Sequence, residues 1–235
     1  MYGLIFDVDG LIADTEGANA RATARVFAEH FDLPGVTRED FEKGIGRGAE
    51  AYVRAGARAN GRELTEEEVE KATRLRQEYF LRLLREEPLD PLPGVMELME
   101  AALNEPEIYR LAVATSSTRE KSGAVLDSTG VPLEEMEYVC GDDVSKKKPD
   151  PELFQIAAHR LDLPPDRCVV FEDAPDGVAA AHAAGAACVA VTNSVAREKL
   201  QDADRIVDSL GEIDLKQVRR LIDNNGASVD AFLPL

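Results

Sequence analysis

Cysteine and histidine are scarce in this sequence, with three of each among its 235 residues. Cys140, Cys168 and Cys188 stand singly within apolar runs, and the histidines lack the spacing of a metal-binding set. A disulfide framework and a zinc site are therefore both excluded. We expect reduced cysteines that belong to a hydrophobic core.

Long apolar stretches are also missing. No apolar run approaches the length of a membrane-spanning helix, about 18 residues, and no apolar stretch follows a charged amino-terminal segment as in a secretory signal. There is no internal repeat with a period of about 20 to 50 residues. We therefore expect a cytoplasmic protein without a membrane partner.

Basic residues are outnumbered, because 27 lysines and arginines face 45 aspartates and glutamates, and the formal net charge is −18. Such a field repels nucleic-acid backbones and anionic lipid surfaces, so we expect neither as a partner. If the ligand is an anion, the site must concentrate positive charge locally. The surplus of acid is also compatible with a simple adaptation to solubility or salt.

The first fourteen residues organise the chain. Residues 2–6 form a short apolar run without alternation, which is typical of a parallel strand buried on both faces. Asp7 and Asp9 follow at its carboxyl end, and Gly10 allows a sharp turn there. Ligands bind at this edge of open α/β sheets. An isolated motif of this kind is more often a plain strand and turn, so the rest of the chain decides.

From residue 95 onward, short apolar runs alternate with helical patterns. This alternation predicts an α/β fold with a Rossmann-like, doubly wound parallel sheet. An all-helical stretch interrupts it, including a long helix that opens at Thr65 with a capping-box pattern to Glu68. We predict a catalytic core from residues 1–15 and 88–235, an inserted helical cap domain at 16–87, and a loosely held tail from Asn224.

Polar side chains follow three of the predicted strands, and a lysine precedes a predicted helix. A carboxylate that accepts a phosphoryl group needs a hard divalent cation, donors for the phosphoryl oxygens, and a second acid for proton transfer. The side chains that could supply these groups are Asp7, Asp9, Thr115, Lys148, Glu172 and Asp173.

Four motifs in this order resemble the haloacid dehalogenase superfamily. They are Asp7-Val-Asp9-Gly10, the apolar run into Thr115-Ser116, Lys148-Pro-Asp-Pro, and Phe171-Glu172-Asp173. The resemblance covers nearly the whole chain. It is to the branch with a helical cap, which includes β-phosphoglucomutase-like enzymes and CbbY-like sugar-phosphate phosphatases.

The resemblance implies a role for each matching residue. Asp7 would attack phosphorus and form an aspartyl-phosphate, and Asp9 would serve as general acid and base. Thr115 and Ser116 would bind the phosphoryl oxygens, and Lys148 would neutralise charge. A magnesium ion would be held by Asp7, the backbone carbonyl of Asp9, Asp173 and Glu172, with Glu172 either a ligand or a supporting partner.

In the cap, the resemblance suggests that Arg47, Arg76 and Glu16 bind the substrate. Arg76 lies on an apolar helix face, where an arginine either extends its head to water or reaches into a cleft. Two cap arginines would suit a substrate with an anion at each end, such as a sugar bisphosphate.

The predicted function is a magnesium-dependent phosphatase of small phosphorylated metabolites, monomeric or weakly dimeric. Asp9 argues against dehalogenation, because an alkyl ester on Asp7 needs no acid two residues later. A phosphomutase remains an alternative, although Asn19 stands where the mutases have a histidine. A non-catalytic ligand-binding domain on the same scaffold is the second alternative.

Overall fold

The structure is a computed structural model that describes residues 1–44 and 48–230, with side chains described as far as residue 225. The chain forms two compact units. One comprises Met1–Ala13 and Asp90–Leu235, and the other comprises Asp14–Leu89. The second unit thus spans the segment predicted as a cap at 16–87.

The first unit contains a six-stranded sheet in which every strand pair is parallel. Its order is β3-β2-β1-β4-β5-β6. The strands β1 to β3 are therefore added toward one edge of the sheet and β4 to β6 toward the other, and the switch lies between β1 and β4. In doubly wound sheets a ligand binds at this switch point. The strands are β1 (Tyr2–Phe6), β2 (Tyr109–Ala114), β3 (Glu137–Val139), β4 (Cys168–Glu172), β5 (Ala187–Val191) and β6 (Arg205–Val207).

The described residues form eight α-helices, and three of them, α1 to α3, lie in the second unit. The bounds are α1 (Thr15–His30), α2 (Ala49–Ala59), α3 (Glu66–Glu86), α4 (Val95–Leu103), α5 (Arg119–Thr129), α6 (Glu152–Arg160), α7 (Pro175–Ala184) and α8 (Leu215–Asp230). Helices α4 to α8 flank the sheet, which confirms the predicted α/β class. No helix within the described residues is long and apolar enough to cross a membrane.

The core of the first unit forms because β4 and β5 are apolar except for Glu172 at the end of β4. All residues of β4 and β5 are buried, and the rings of Phe6 and Phe171 stack at 4.7 Å between centroids. Burial of one such side chain stabilises a fold by about 1.5–3 kcal/mol. Helices α6 and α7 cover a cluster that includes Ile5, Val170 and Cys188. The three cysteines are buried and free, as expected.

The second unit has its own hydrophobic cluster, centred on Phe27, Phe41 and Val53. Asp14 caps α1 by accepting a hydrogen bond from the backbone N–H of Gly17 at 2.9 Å. The predicted capping box is present, since Thr65 accepts from the Glu68 N–H and Glu68 accepts from the Thr65 N–H. These local signals fix where the helices begin.

The prediction of a loose tail from residue 224 was wrong as far as Asp230. Asn224, Asn225 and the glycine after them are poor helix formers, which favoured a helix end at Ile222. Helix α8 nevertheless continues to Asp230. The side-chain amide of Asn225 donates to the carbonyl of Gly185 at 3.0 Å and ties α8 to the end of α7. Residues 231–235 lie outside the described part of the chain.

Candidate active site

The site begins where β1 ends. Phe6 of β1 is in register with Val113 of β2 and Phe171 of β4, so the residues that follow these strands meet at one edge of the sheet. Asp7 follows directly and is 5% exposed. Gly10 has φ +83, and a Cβ there would overlap the carboxylate of Asp173. Only glycine meets both demands, which explains the turn in the first motif.

Lys148 joins two buried carboxylates. Its Nζ donates to Asp7 Oδ1 and to Glu172 Oε1, each at 2.5 Å. The pKa of Asp7 is raised to about 7. Burial is the largest cause; the charge of Lys148 opposes this shift, and the charges of Glu172 and Asp9 add to it. Burial alone would lower the pKa of Lys148, but its two carboxylate partners raise it above the ordinary value. Lys148 is therefore charged, and its ammonium contacts both carboxylates.

Three buried acids could together hold a cation. One ligand oxygen from each of Asp7, Glu172 and Asp173 lies within 4.8 Å of the others. Burial raises the pKa of Asp173 well above its ordinary value, and the charges of Glu172 and Asp7 raise it further. In the described part of the chain, one ammonium, that of Lys148, contacts this group of three carboxylates, which leaves the group short of positive charge. Hard carboxylate oxygens are the ligands that Mg²⁺ prefers, so the residues fit such an ion.

Glu172 is oriented by the backbone. Its Oε2 accepts hydrogen bonds from the N–H groups of Asp173 at 2.9 Å and Ala174 at 3.0 Å, while Oε1 accepts from Lys148. Both oxygens thus have donors. Asp173, by contrast, accepts from the hydroxyl of Ser194, in the loop after β5. Asn193 in the same loop donates to the carbonyl of Gly10 at 2.9 Å.

The side chain of Asp9 contacts a second group of residues, which follow β2 in the chain: Thr115, Ser117 and Lys121. Asp9 Oδ2 accepts from Ser117 Oγ at 2.7 Å and from Thr115 Oγ1 at 3.4 Å. Asp9 Oδ1 accepts from Lys121 Nζ at 2.9 Å. The metal-binding role assigned to the Asp9 backbone carbonyl stays a prediction. Ser116 is adjacent, and its buried Oγ has no hydrogen-bond partner among the described residues.

Sequence reasoning missed Ser117, Lys121 and Ser194. Lys121 could have been found, because side chains in the first turn of a helix lean back toward its N-terminus, and α5 follows β2 directly. Ser194 gave a weaker signal, namely its position three residues past the end of β5.

In the second unit, Glu16 and Arg76 meet at one tyrosine. Tyr52 Oη donates to Glu16 Oε1 at 2.6 Å, and the Arg76 guanidinium carbon lies 4.5 Å from the Tyr52 ring centroid. Phe41 stacks on Tyr52 at 4.5 Å with an interplanar angle of 2°. Burial lowers the pKa of Arg76, and Tyr52 and Glu16 oppose that shift. Arg47 lies outside the described residues.

Arg76 does not extend its whole head to water. Its Nε is buried and has no hydrogen-bond partner among the described residues. Asn19, the position that matches the mutase histidine, is 5% exposed, and its backbone carbonyl accepts from the Thr23 hydroxyl at 2.7 Å.

The doubly wound sheet carries Asp7, Lys148, Glu172 and Asp173 together at its switch point, where ligands bind in folds of this class. Residues 4–191 match the family described as haloacid dehalogenase-like hydrolase. The chain belongs to this family, which confirms the prediction from the four motifs.

Three proteins illustrate what the chain is similar to. Validoxylamine A 7'-phosphate phosphatase of Streptomyces hygroscopicus subsp. limoneus is 33% identical over 213 residues, covering 89% of this chain and 94% of that protein. A CbbY variant of Rhodobacter sphaeroides, solved with xylulose-(1,5)bisphosphate, is 29% identical with a TM-score of 0.75, covering 93% and 99%. A protein described as a beta-phosphoglucomutase from Thermotoga maritima is 27% identical with a TM-score of 0.72, covering 99% and 100%.

Proposed function

We propose that this chain is a magnesium-dependent phosphatase of small phosphorylated metabolites, chiefly sugar phosphates or bisphosphates, and that it works through an aspartyl-phosphate on Asp7. The observation that carries the proposal is the buried contact of Lys148 with Asp7 and Glu172, beside Asp173. A binding module has no need of a buried nucleophile with a second acid two residues later. We further expect it to act in the cytoplasm as a monomer or weak homodimer, without nucleic-acid or membrane partners.

In the first step, a carboxylate oxygen of Asp7 attacks phosphorus while the bond from phosphorus to the leaving oxygen breaks. Asp9 gives its proton to that oxygen. Lys148 balances the charge on Asp7 and the phosphoryl group, and the hydroxyls of Thr115 and Ser116 donate to the phosphoryl oxygens. The buried Oγ of Ser116 has no hydrogen-bond partner in the described part of the chain, which supports this role.

In the second step, water attacks the phosphorus of the aspartyl-phosphate, and Asp9 takes the proton from that water. The bond between phosphorus and Asp7 breaks, which releases inorganic phosphate and restores the Asp7 carboxylate. Magnesium, when bound, supplies positive charge for the nucleophile and the phosphoryl oxygens.

We assign the direct metal contacts to Asp7, Asp173 and the backbone carbonyl of Asp9. Glu172 orients the group, since both of its oxygens already accept hydrogen bonds from protein donors. Asp7 has a pKa of about 7 without a cation, so a proton and the metal compete for it at neutral pH.

The substrate class rests on the second unit and on the relatives. Arg76 offers a buried donor and Glu16 an acceptor on one tyrosine, a combination suited to an anionic and hydroxylated metabolite. Arg47 is proposed to bind a second anionic group. The CbbY structure holds xylulose-(1,5)bisphosphate, and the Streptomyces relative is named as a phosphatase of validoxylamine A 7'-phosphate. Asn19 cannot take up a proton as histidine does, which favours hydrolysis over mutase chemistry.

The test is inorganic phosphate release from a panel of sugar monophosphates and bisphosphates, with magnesium or with EDTA. Asp7→Asn is the matched control, because it keeps the size of the side chain and removes the nucleophile. We expect metal-dependent release that vanishes in Asp7→Asn. Turnover that survives in that variant removes Asp7 as nucleophile. Silence across the panel, with activity restored by a bisphosphate activator and transfer between sugar positions, identifies a phosphomutase.

A further inference from the structure

A second lysine serves the site, and no motif of the sequence analysis includes it. Lys121 Nζ lies 2.9 Å from Asp9 Oδ1, and Ser117 Oγ lies 2.7 Å from Asp9 Oδ2. Both oxygens of the Asp9 carboxylate are therefore held by donors that follow β2: Ser117 lies in the loop before α5, and Lys121 lies in the first turn of α5. Lys148 cannot take this role, because its ammonium lies on Asp7 and Glu172.

The fold fixes the position of Lys121. Thr118 caps α5 and accepts from the backbone N–H of Lys121 at 3.4 Å. The side chains of Ser117 and Lys121 are four residues apart, and Lys121 Nζ lies 3.4 Å from Ser117 Oγ. Ser117 is anchored in turn, since its N–H donates to Thr115 Oγ1 at 3.1 Å and its carbonyl accepts from Gly141 at 2.7 Å.

The contact is shielded enough to matter. The side chains of Lys121 and Asp9 are 22% and 31% exposed. An ion pair at the open surface contributes little, but a charge-assisted hydrogen bond with limited solvent access restricts the carboxylate to one orientation. Proton transfer depends steeply on that orientation, because a misplacement of about 1 Å can cost about a hundredfold in rate.

We propose that Lys121 is a positioning residue for Asp9: with Ser117, it holds the carboxylate where it takes the proton from the attacking water. This inference rests on the proposed function. In the step concerned, the water oxygen bonds to phosphorus, its proton passes to Asp9, and the bond between phosphorus and Asp7 breaks. Lys121 itself exchanges no proton and touches no reacting atom.

The test separates the two steps with p-nitrophenyl phosphate. Nitrophenolate leaves without protonation, so the first step of this substrate does not need Asp9. Rapid mixing of excess enzyme with the substrate gives the rate of nitrophenolate formation. The same experiment with limiting enzyme gives the rate of phosphate release during repeated turnover. In Lys121→Met we expect the first rate to be retained and phosphate release to fall about 10- to 100-fold, with phosphorylated enzyme accumulating.

Three variants complete the design. Lys121→Arg keeps the positive charge and donors, so it should recover most of the rate of phosphate release. Lys147→Met removes an exposed lysine that has no role in the proposed mechanism and should change neither rate. Lys121→Gln repeats the test with a polar side chain should the methionine variant fold poorly by circular dichroism.

The outcomes are distinct. Equal loss of both rates in Lys121→Met and Lys121→Gln, or no loss in either rate, overturns the inference while leaving the phosphatase proposal intact. A wild-type protein that releases nitrophenolate without ever carrying a phosphoryl group overturns the proposed function, and this inference with it.

Discussion

Substitution of Lys148 by methionine should destabilise the protein in a way that depends on the metal. Among the described residues, Lys148 is the single ammonium that contacts both Asp7 and Glu172, and the side chains of Lys148, Asp7 and Glu172 are 11%, 7% and 1% exposed. Methionine keeps the length of the side chain but leaves two buried carboxylates without this partner. Removal of one member of a buried ion pair costs about 3–5 kcal/mol.

The assay is urea unfolding of wild type and Lys148→Met in EDTA, followed by circular dichroism at several pH values. We expect the loss of about 3–5 kcal/mol at pH 8. Loss of the lysine raises the pKa of Asp7 further, since Lys148 now lowers it. An acid whose pKa is raised on folding costs stability as the pH rises from its unfolded value toward its folded value. The deficit of the variant should therefore shrink toward pH 5, where Asp7 takes up a proton.

Magnesium should also reduce this deficit, because the cation supplies the missing positive charge. Lys147→Met serves as the control and should match wild type. A Lys148→Met protein as stable as wild type in EDTA at pH 8 would refute the buried triad on which the site is built.

Two further predictions concern the metal and the substrate. Ser194→Ala removes the hydroxyl that donates to Asp173, so it should weaken magnesium binding about 10- to 100-fold, as measured by calorimetry. The Thr192 hydroxyl donates to Asp208 instead, so Thr192→Val is the control and should bind magnesium as wild type does. Equal affinities in all three proteins contradict the role of Ser194. Arg47→Ala and Arg76→Met should raise KM for a sugar bisphosphate far more than for p-nitrophenyl phosphate, which lacks a second anion, and equal losses on both substrates exclude these arginines from the substrate site.

Much of the fold follows from local signals. The buried strand before Asp7, the capping box at Thr65 and the alternation of strands and helices are each determined by neighbours in sequence. The parallel sheet follows from that alternation, because consecutive parallel strands need a crossover helix. The four motifs place Asp7 and Asp173 at the ends of adjacent strands, β1 and β4, and the structure brings them together.

The parts that sequence reasoning missed depend on tertiary contacts. Ser194 reaches Asp173 only because β5 lies beside β4. Tyr52 lies in α2 and Arg76 in α3. The apolar stripe of α3 therefore does not predict that the Arg76 guanidinium packs over the Tyr52 ring. Asp9 shares its motif with Asp7, yet its side chain accepts hydrogen bonds from Ser117 in the loop after β2 and from Lys121 in the first turn of α5. The spacing of Asp7 and Asp9 in the sequence does not predict that their side chains contact different lysines, Lys148 and Lys121.

The central claim is that Asp7 carries the phosphoryl group. The direct measurement is the mass of the enzyme, acid-quenched during turnover of p-nitrophenyl phosphate with magnesium, followed by peptide mapping. We predict one added phosphoryl group, located on the peptide that contains Asp7 and absent from Asp7→Asn. Steady release of phosphate from an enzyme that never carries this group, under conditions where hydrolysis of the intermediate is slowed as in Lys121→Met, would contradict the account and indicate direct attack by water.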